Sequence, residues 1–259
     1  MGEKCSYEVN GKGVALVTIC NPPMNALDDD TMLALESVMK QIHGDERVHA
    51  AVVTGDGPNF IIGADINRVQ EVVTAEEGED LTGRAQGIIN MIEESPIPVI
   101  AAINGMCLGG GMELAMACHI RIAGDEIKMG LPEIRLGIMP AFGGSQRSAR
   151  LLGTARALDI MLTGRFIDMD EAVSIGLVNR TVPQADVLAE SVRYAEKIAE
   201  KSRPAVRAIL EGVMKGMTLP LEDGLRLESR LFGRLAGGED KKEGIAAFLE
   251  KRKPQFKQR

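Results

Sequence analysis

Short apolar segments alternate with segments of helical periodicity over the first two-thirds of the chain, and this alternation limits the folds that the chain can adopt. In residues 31–43, Met32, Leu35, Met39 and Ile42 recur three or four positions apart, which predicts an amphipathic helix. Five segments have the composition of buried strands: residues 14–20, 50–54, 99–103, 120–123 and 177–181. Strand–helix alternation of this kind favours an α/β fold with largely parallel strand pairing.

The pattern changes after about residue 184, where helical periodicity continues without strand candidates. One apolar stripe comprises Leu188, Val192, Ala195 and Ala199, and further stripes follow it along the chain. We therefore predict an α/β body over residues 1–184 and a helical C-terminal subdomain over residues 185–259.

The composition excludes several kinds of site. The 259 residues carry a formal net charge of −7, and only 3 % of them are aromatic. Both values argue against nucleic-acid binding, which uses positive charge and aromatic stacking. The 3 His and 4 Cys show no metal-ligand spacing, so we expect no metal site. The chemistry then depends on carboxylates, hydroxyls, lysines or the backbone.

The same counts bear on the cellular compartment. Four scattered cysteines favour a reducing compartment over a disulfide scaffold. The N-terminus has no apolar signal-peptide segment, and prolines and glycines interrupt the longest uncharged run, residues 95–112. We therefore predict a cytoplasmic protein without a membrane-spanning helix.

The segment 98–118, PVIAAINGMCLGGGMELAMAC, carries the strongest functional signal of the residues themselves. Three glycines before a predicted helix let a ligand approach the backbone, whose free N–H groups favour negative charge there. Glu113 lies among apolar residues, so burial would raise its pKa and suit it to proton transfer. A packing turn in which Glu113 only stabilises the helix dipole explains these residues equally well. The glycine spacing matches no nucleotide-binding fingerprint.

Two further segments contain candidate functional groups. Glu133 lies in a segment rich in Pro and Gly, and it can form a general acid–base pair with Glu113 if the fold brings the two together. Taken alone, Glu133 is more typical of a surface position or a helix N-terminus. Residues 59–67 contain Asp65 after a glycine, and an ordinary helix N-cap is the simpler interpretation of that residue.

Several segments together resemble the enoyl-CoA hydratase (crotonase) family, and the resemblance covers nearly the whole chain. In chain order they are NPPMNAL near the N-terminus, IIGADI at 61–66, the segment 98–118, MGLPEIRLGIMPAFGGSQR at 129–147 and LTGRFIDMDEAVSIGLVNRTVP at 162–183. A bacterial-type short-chain enoyl-CoA hydratase is the most similar type. The resemblance implies a spiral of stacked ββα turns and a helical C-terminal trimerisation subdomain, with a homotrimer or a hexamer built from two trimers.

The resemblance also implies an acyl-CoA thioester as the substrate. Water would add across the 2,3 double bond of a 2-enoyl-CoA, giving a 3-hydroxyacyl-CoA in fatty acid β-oxidation or related acyl-CoA catabolism. The thioester oxygen would lie in an oxyanion hole formed by the backbone N–H groups of Ala64 and Gly110. Glu113 would chiefly activate the water, and Glu133 would chiefly protonate the α-carbon. No separate cofactor is implied, because coenzyme A is part of the substrate.

The coenzyme A path and one departure from the family complete the implied site. The backbone of Ala64, Asp65, Ile66 and Asn67 is expected to line the adenine and pantetheine path. Many hydratases have Pro-Gly after the second glutamate, where this chain has Ala141 after the proline. Alanine keeps the backbone N–H that contacts the water, but its methyl group can narrow the site and so affect which acyl chain lengths fit.

Two other functions stay open at this point. One is another acyl-CoA enzyme of the same family, such as an isomerase, hydrolase, decarboxylase or dehalogenase, although such enzymes often replace one of the two glutamates. The other is a non-catalytic CoA-binding or RNA-binding scaffold. Its support is the basic tail formed by Lys251, Arg252, Lys253, Lys257 and Arg259. Such a tail is more often a solvated end, and in the family it can also approach the CoA phosphates.

Overall fold

Two largely parallel β-sheets run through the structure, a computed structural model that describes residues 3–258. Within these residues the strands are β1 (Cys5–Val9), β2 (Val14–Ile19), β3 (Ala50–Gly55), β4 (Ile61–Ile62), β5 (Val99–Ile103), β6 (Cys107–Leu108), β7 (Ile120–Gly124), β8 (Met129–Gly130), β9 (Phe166–Ile167) and β10 (Arg180–Val182). The main sheet has the order β1-β2-β3-β5-β7-β10, and only its β1–β2 pair is antiparallel. The small sheet has the order β4-β6-β8-β9.

The chain passes repeatedly from the main sheet to the small sheet and then into helical structure. β3 leads to β4, β5 leads to β6 and β7 leads to β8, so each passage is one ββα turn. Stacking of these turns confirms the expected fold class. Because β4, β6 and β8 pair in parallel, the residues that follow them come together at one edge of the small sheet.

The helices connect the strands and form the C-terminal part of the chain. They are α1 (Asp29–Gly44), α2 (Ile66–Glu71), α3 (Ala75–Glu93), α4 (Gly110–Ala117), α5 (Gly144–Leu152), α6 (Thr154–Thr163), α7 (Met169–Ser174), α8 (Val187–Ala199), α9 (Arg203–Gly216), α10 (Leu221–Ala236) and α11 (Glu239–Leu249), with 3-10 helices at Glu133–Leu136 and Gln184–Asp186. The predicted helix at residues 31–43 lies within α1, whose first turn Asp28 caps by accepting from the Thr31 N–H at 2.7 Å. Among the described helices, none is long and apolar enough to cross a membrane.

Four of the five predicted strands are confirmed within one residue at either end. The fifth, residues 177–181, is wrong at its start, because the strand covers only Arg180–Val182. Leu177 and Val178 are buried in the turn that follows α7. The Leu177 carbonyl accepts from Arg121 Nε at 2.7 Å, so this apolar segment is buried by packing and not by strand pairing.

Both faces of the main sheet are buried, as the alternation along β3 illustrates. Ala51 and Val53 belong to the main core with α1, α3 and α4, whereas Ala50 and Val52 belong to a second cluster with α8. Helix α8, the first long helix after the predicted boundary at residue 184, therefore covers the sheet of the body. The division into two domains stays a prediction.

Helices α9 to α11 leave much of their apolar surface exposed in the single chain. No residue of α9, which lies wholly within the described residues, is buried. Met217 is 82 % exposed, Phe232 is 70 % exposed and Phe248 is 82 % exposed. A large apolar surface of this kind is typical of an interaction site.

The basic tail folds back on α11. Arg252 Nη1 donates to Glu243 Oε1 at 2.6 Å, and the Lys257 backbone N–H donates to Asp240 Oδ1 at 2.6 Å. Its side chains still face mainly solvent. Arg259, which belongs to the predicted basic tail, lies outside the described residues.

Candidate active site

A cavity of about 650 Å³ opens where the ββα turns meet at the edge of the small sheet. Apolar side chains make up most of its wall, which is the usual form of a small-molecule site. Every residue predicted for the site lines this cavity: Ala64, Asp65, Ile66, Asn67, Gly110, Glu113, Glu133 and Ala141. The fold therefore brings together groups from three separate turns of the chain.

Two free backbone amides lie side by side in this cavity. Leu27 forms a parallel bridge with Ala64, and its hydrogen bonds of 3.0 and 3.3 Å go to the residues on either side of Ala64. The Ala64 N–H therefore takes no part in the bridge. Gly110 is the first residue of α4, where backbone N–H groups have no partner within the helix. A Cβ on Gly110 would lie 3.5 Å from Ala64 N, so the two residues are close neighbours in the cavity wall.

Glu113 lies in the first turn of α4 and is only 2 % exposed. Its Oε1 accepts hydrogen bonds from the backbone N–H groups of Phe142 at 2.8 Å and Gly144 at 2.6 Å. A Cβ on Gly144 would lie 2.8 Å from the same oxygen, so only glycine leaves room for the carboxylate. The turn before α5 thus fixes the position of Glu113.

The environment of Glu113 makes it a weaker acid than an ordinary glutamate. Burial raises the pKa of Glu113 to about 7, and the nearby charge of Glu133 acts in the same direction. The two N–H donors and the positive charge of Arg147 oppose this rise. The predicted burial of Glu113 is confirmed, and a carboxyl group with this pKa exchanges protons readily near neutral pH.

Glu133 begins a 3-10 helix directly after Pro132 and is partly buried. Burial raises the pKa of Glu133. Its Oε2 is buried and has no hydrogen-bond partner among residues 3–258. Its Oε1 occupies space left by Gly109, which has a φ of +52° and whose Cβ would lie 2.7 Å from that oxygen. The residue is therefore at a helix N-terminus, as its surroundings in the sequence suggest, and it also lines the cavity.

The remaining predicted residues lie in two segments of the wall. Asp65 caps α2 by accepting from the Asn67 N–H at 2.9 Å, which confirms the simpler interpretation of Asp65. Ile66 begins α2 and is exposed at the cavity. The Ala141 carbonyl accepts from Gln86 Nε2 of α3 at 2.7 Å.

Sequence reasoning missed most of the apolar wall. Leu81 of α3, Met139 and Phe142 line the cavity, as does Met24 near the N-terminus. Their residue types alone do not mark them as wall residues, because a wall position depends on where an element passes in space. Leu81 lies outside every family-like segment, whereas Met24 lies within NPPMNAL and Met139 and Phe142 lie within the segment at 129–147.

Comparison with known proteins identifies the family of the chain and agrees with its fold. A family model described as Enoyl-CoA hydratase/isomerase matches residues 9–259. A Bacillus subtilis protein named "Probable enoyl-CoA hydratase" is 44 % identical over 245 residues, 94 % of this chain and 95 % of that protein. The short-chain-enoyl-CoA hydratase of Clostridium acetobutylicum is 40 % identical over 253 residues, 95 % of this chain and 94 % of that protein.

Solved structures give the same result. The crystal structure of an enoyl-CoA hydratase from Bacillus anthracis matches with a TM-score of 0.94 at 34 % identity, covering 99 % of this chain and 100 % of that one. The fold and the cavity define an α/β protein of the crotonase type. The chain belongs to the enoyl-CoA hydratase/isomerase family.

Proposed function

We propose that this protein is an enoyl-CoA hydratase, which adds water across the 2,3 double bond of a 2-enoyl-CoA and gives a 3-hydroxyacyl-CoA. One observation carries the proposal: two carboxyl groups of raised pKa and two adjacent free amides share one cavity. Relatives named enoyl-CoA hydratase at 40 to 44 % identity support it. The reaction belongs to fatty acid β-oxidation or related acyl-CoA catabolism.

The amides of Ala64 and Gly110 polarise the substrate. The thioester carbonyl oxygen accepts from both N–H groups, which belong to neighbouring residues of the cavity wall. Addition of water to the β-carbon moves negative charge onto this oxygen, so the donors stabilise the transition state more than the ground state. Each such donor typically contributes about 10²–10³-fold in rate.

The two glutamates move the protons. Glu113 takes a proton from the water while the water oxygen bonds to the β-carbon, and the electrons of the double bond move toward the thioester oxygen. Glu133 then gives a proton to the α-carbon as the carbonyl reforms. The proton gained by Glu113 balances the one lost by Glu133, and transfer between them restores the starting state. No cofactor is needed beyond the coenzyme A of the substrate.

The wall segments hold the rest of the substrate. The backbone of Ala64, Asp65, Ile66 and Asn67 lines the path of coenzyme A, in agreement with its place in the cavity wall. The Ala141 N–H contributes to binding of the water.

Crotonyl-CoA tests this function directly. Purified protein without added metal or redox cofactor is expected to remove the absorbance of the conjugated enoyl thioester and to form 3-hydroxybutyryl-CoA, which chromatography identifies. Crotonyl-CoA incubated with the Glu113→Gln/Glu133→Gln double variant is the control. If the wild-type protein hydrates no enoyl-CoA of any chain length, the proposal is wrong. Conversion to a 3-enoyl-CoA or to free coenzyme A would identify an isomerase or a hydrolase of the same family.

The active assembly is a homotrimer or a pair of trimers. The exposed apolar surface of α9 to α11, which includes Phe232, Phe248 and Met217 directly after α9, supports burial of these helices between subunits. Sedimentation velocity distinguishes the two states. A monomer at micromolar concentration would contradict this assignment.

We also assign the protein to the cytoplasm. Its four cysteines are free, and Cys5, Cys107 and Cys118 are buried as thiols, which fits a reducing compartment. Fractionation of the source cells tests this assignment.

A further inference from the structure

One face of α3 carries three polar side chains, of which one contacts the turn holding Glu113 and two contact Arg147 of α5. Gln86, Asn90 and Glu93 are spaced four and three residues apart, which places them on the same side of the helix. Gln86 donates to the Ala141 carbonyl at 2.7 Å. Asn90 and Glu93 both accept from the guanidinium of Arg147.

Arg147 connects this face of α3 to the turn. Its Nε and Nη2 donate to Glu93 Oε2 at 3.0 and 2.7 Å, and its Nη1 donates to the Phe142 carbonyl at 3.1 Å. The Arg147 side chain is only 10 % exposed. A partly buried guanidinium with this many partners forms a rigid link, because its planar fork fixes the directions of its hydrogen bonds.

The same turn binds Glu113 from its other side. Phe142 accepts from Arg147 through its carbonyl and donates to Glu113 Oε1 through its N–H at 2.8 Å. Gly143, with a φ of +111°, lets the guanidinium approach, because a Cβ there would lie 2.0 Å from Arg147 Nη1. The guanidinium therefore bonds to the Phe142–Gly143 peptide group, which lies between the two peptide groups whose N–H groups donate to Glu113, and it does not contact the carboxylate itself.

We infer that Arg147, anchored to α3 by Glu93 and Asn90, is a positioning residue that sets the place of Glu113 and of the Ala141 N–H. The expected loss of rate rests on the proposed function. The role of Arg147 in holding Glu113 in position does not depend on that function. Without the link, the Phe142 and Gly144 N–H groups lose their alignment on Glu113. A misplacement of about 1 Å at a reacting group can lower a rate by about 10²-fold.

Arg147→Met and Arg150→Met form a matched pair of variants. Arg150 lies on the same helix, is exposed and, within residues 3–258, forms hydrogen bonds only to Gln146. Arg147→Met is expected to lower kcat for crotonyl-CoA by about 100-fold with KM changed by less than about threefold, because the defect lies in positioning and not in binding. Arg150→Met is expected to stay within twofold of wild type. Arg147→Lys keeps the charge but not the fork, and is expected to lose about tenfold.

The pH profile of kcat separates positioning from general destabilisation. Two charged groups act on Glu113 at close range, Glu133 and Arg147, and the positive charge of Arg147 lowers the pKa of Glu113. Arg147→Met is therefore expected to move the acidic limb of the profile to higher pH, whereas Arg147→Lys and Arg150→Met leave it in place.

Amide hydrogen exchange provides a readout that needs no activity. The N–H groups of Phe142 and Gly144 are bonded to a buried carboxylate, so peptides spanning residues 140–146 are expected to exchange faster in Arg147→Met than in wild type or Arg150→Met.

Folded Arg147→Met with kcat within threefold of wild type and unchanged exchange would overturn the inference. If Arg147→Met does not fold, Arg147→Lys and Glu93→Gln decide it, and wild-type behaviour of both overturns it. If wild-type protein hydrates nothing, the proposed function fails while the exchange data still decide the positioning role.

Discussion

Helix α4 and the 3-10 helix Glu133–Leu136 each supply one carboxylate to the cavity, and they hold it differently. Glu113 belongs to a fully buried helix and receives two backbone hydrogen bonds from the turn before α5. Glu133 belongs to an irregular segment, and its buried Oε2 has no partner in the described part of the chain. A fixed carboxylate suits the repeated activation of water at one point. A carboxyl group with an unbonded oxygen is suited to donate a proton to the α-carbon of a bound substrate.

The largest expected effect comes from removing either carboxylate. Glu113→Gln and Glu133→Gln are each expected to lower kcat for crotonyl-CoA by about 10³–10⁴-fold, since each removes a group that transfers a proton in the proposed reaction. Steady-state kinetics with both variants measures the loss. Either variant within tenfold of wild type would show that its carboxylate has no proton-transfer role.

Crowding Glu133 without removing it is expected to have the next largest effect. Gly109→Ala places a methyl group 2.7 Å from Glu133 Oε1 at a residue of positive φ, so the carboxylate must move. We expect a loss in kcat of about 10²-fold. Gly57→Ala is the matched control, because Gly57 also has a positive φ and its Cβ would meet no atom of the described residues within 4 Å. Equal losses in both variants would show that backbone strain, and not the position of Glu133, causes the effect.

The pH dependence of the protein's stability also distinguishes Glu113 from Glu133. A folded-state pKa raised from 4.5 to about 7 means that the native state binds the Glu113 proton more tightly than the unfolded state. Stability is then lost as the pH rises from the unfolded pKa through the folded one. Glu113→Gln is therefore expected to raise the free energy of unfolding by about 1–3 kcal/mol at pH 8 and by little near pH 4.

Urea unfolding of the wild-type protein and of Glu113→Gln at both pH values measures this difference. Glu133→Gln under the same conditions is the comparison, with a smaller gain expected because Glu133 is less buried. Destabilisation by Glu113→Gln at pH 8 would contradict the raised pKa of Glu113.

The smallest effect is expected at Ala141. Ala141→Gly keeps the backbone N–H and removes one methyl group from the wall, and burial of one such group corresponds to about 0.8 kcal/mol. We expect kcat/KM for crotonyl-CoA to change by less than about fivefold, with any gain larger for longer enoyl chains. A series of enoyl-CoA lengths measures this change. A loss above tenfold with every chain length would show that the methyl group supports the site.

The two carboxylates also differ in how far the sequence reveals them. Glu113 is a lone charge among apolar residues of a predicted helix, so its burial follows from local pattern. Glu133 has ordinary surroundings for a helix N-terminus, and only the family-like segment around it indicates a site. Glu113, which lies with Glu133 in the cavity, comes from a different ββα turn. The two glutamates come together through the parallel register of the strands, which local sequence does not specify.

The strands show the same limit. The long strands β2, β3, β5 and β7 are evident as apolar segments bounded by turns. The two-residue strands β4, β6 and β8 are too short to have a pattern, although they bring the site together. The buried residues Leu177 and Val178 show the reverse case, in which an apolar segment is buried without strand pairing.

The bridge between Leu27 and Ala64 and the start of α4 have a consequence for how this protein can change over generations. In the proposed mechanism carbonyl polarisation depends on main-chain groups, and among the standard amino acids only proline lacks an N–H. Almost any single codon change at Ala64 or Gly110 therefore leaves the donor itself in place, while one change at Glu113 or Glu133 deletes a proton-transfer group. A lineage with this scaffold can replace its acid–base chemistry one residue at a time and keep its ability to stabilise an enolate.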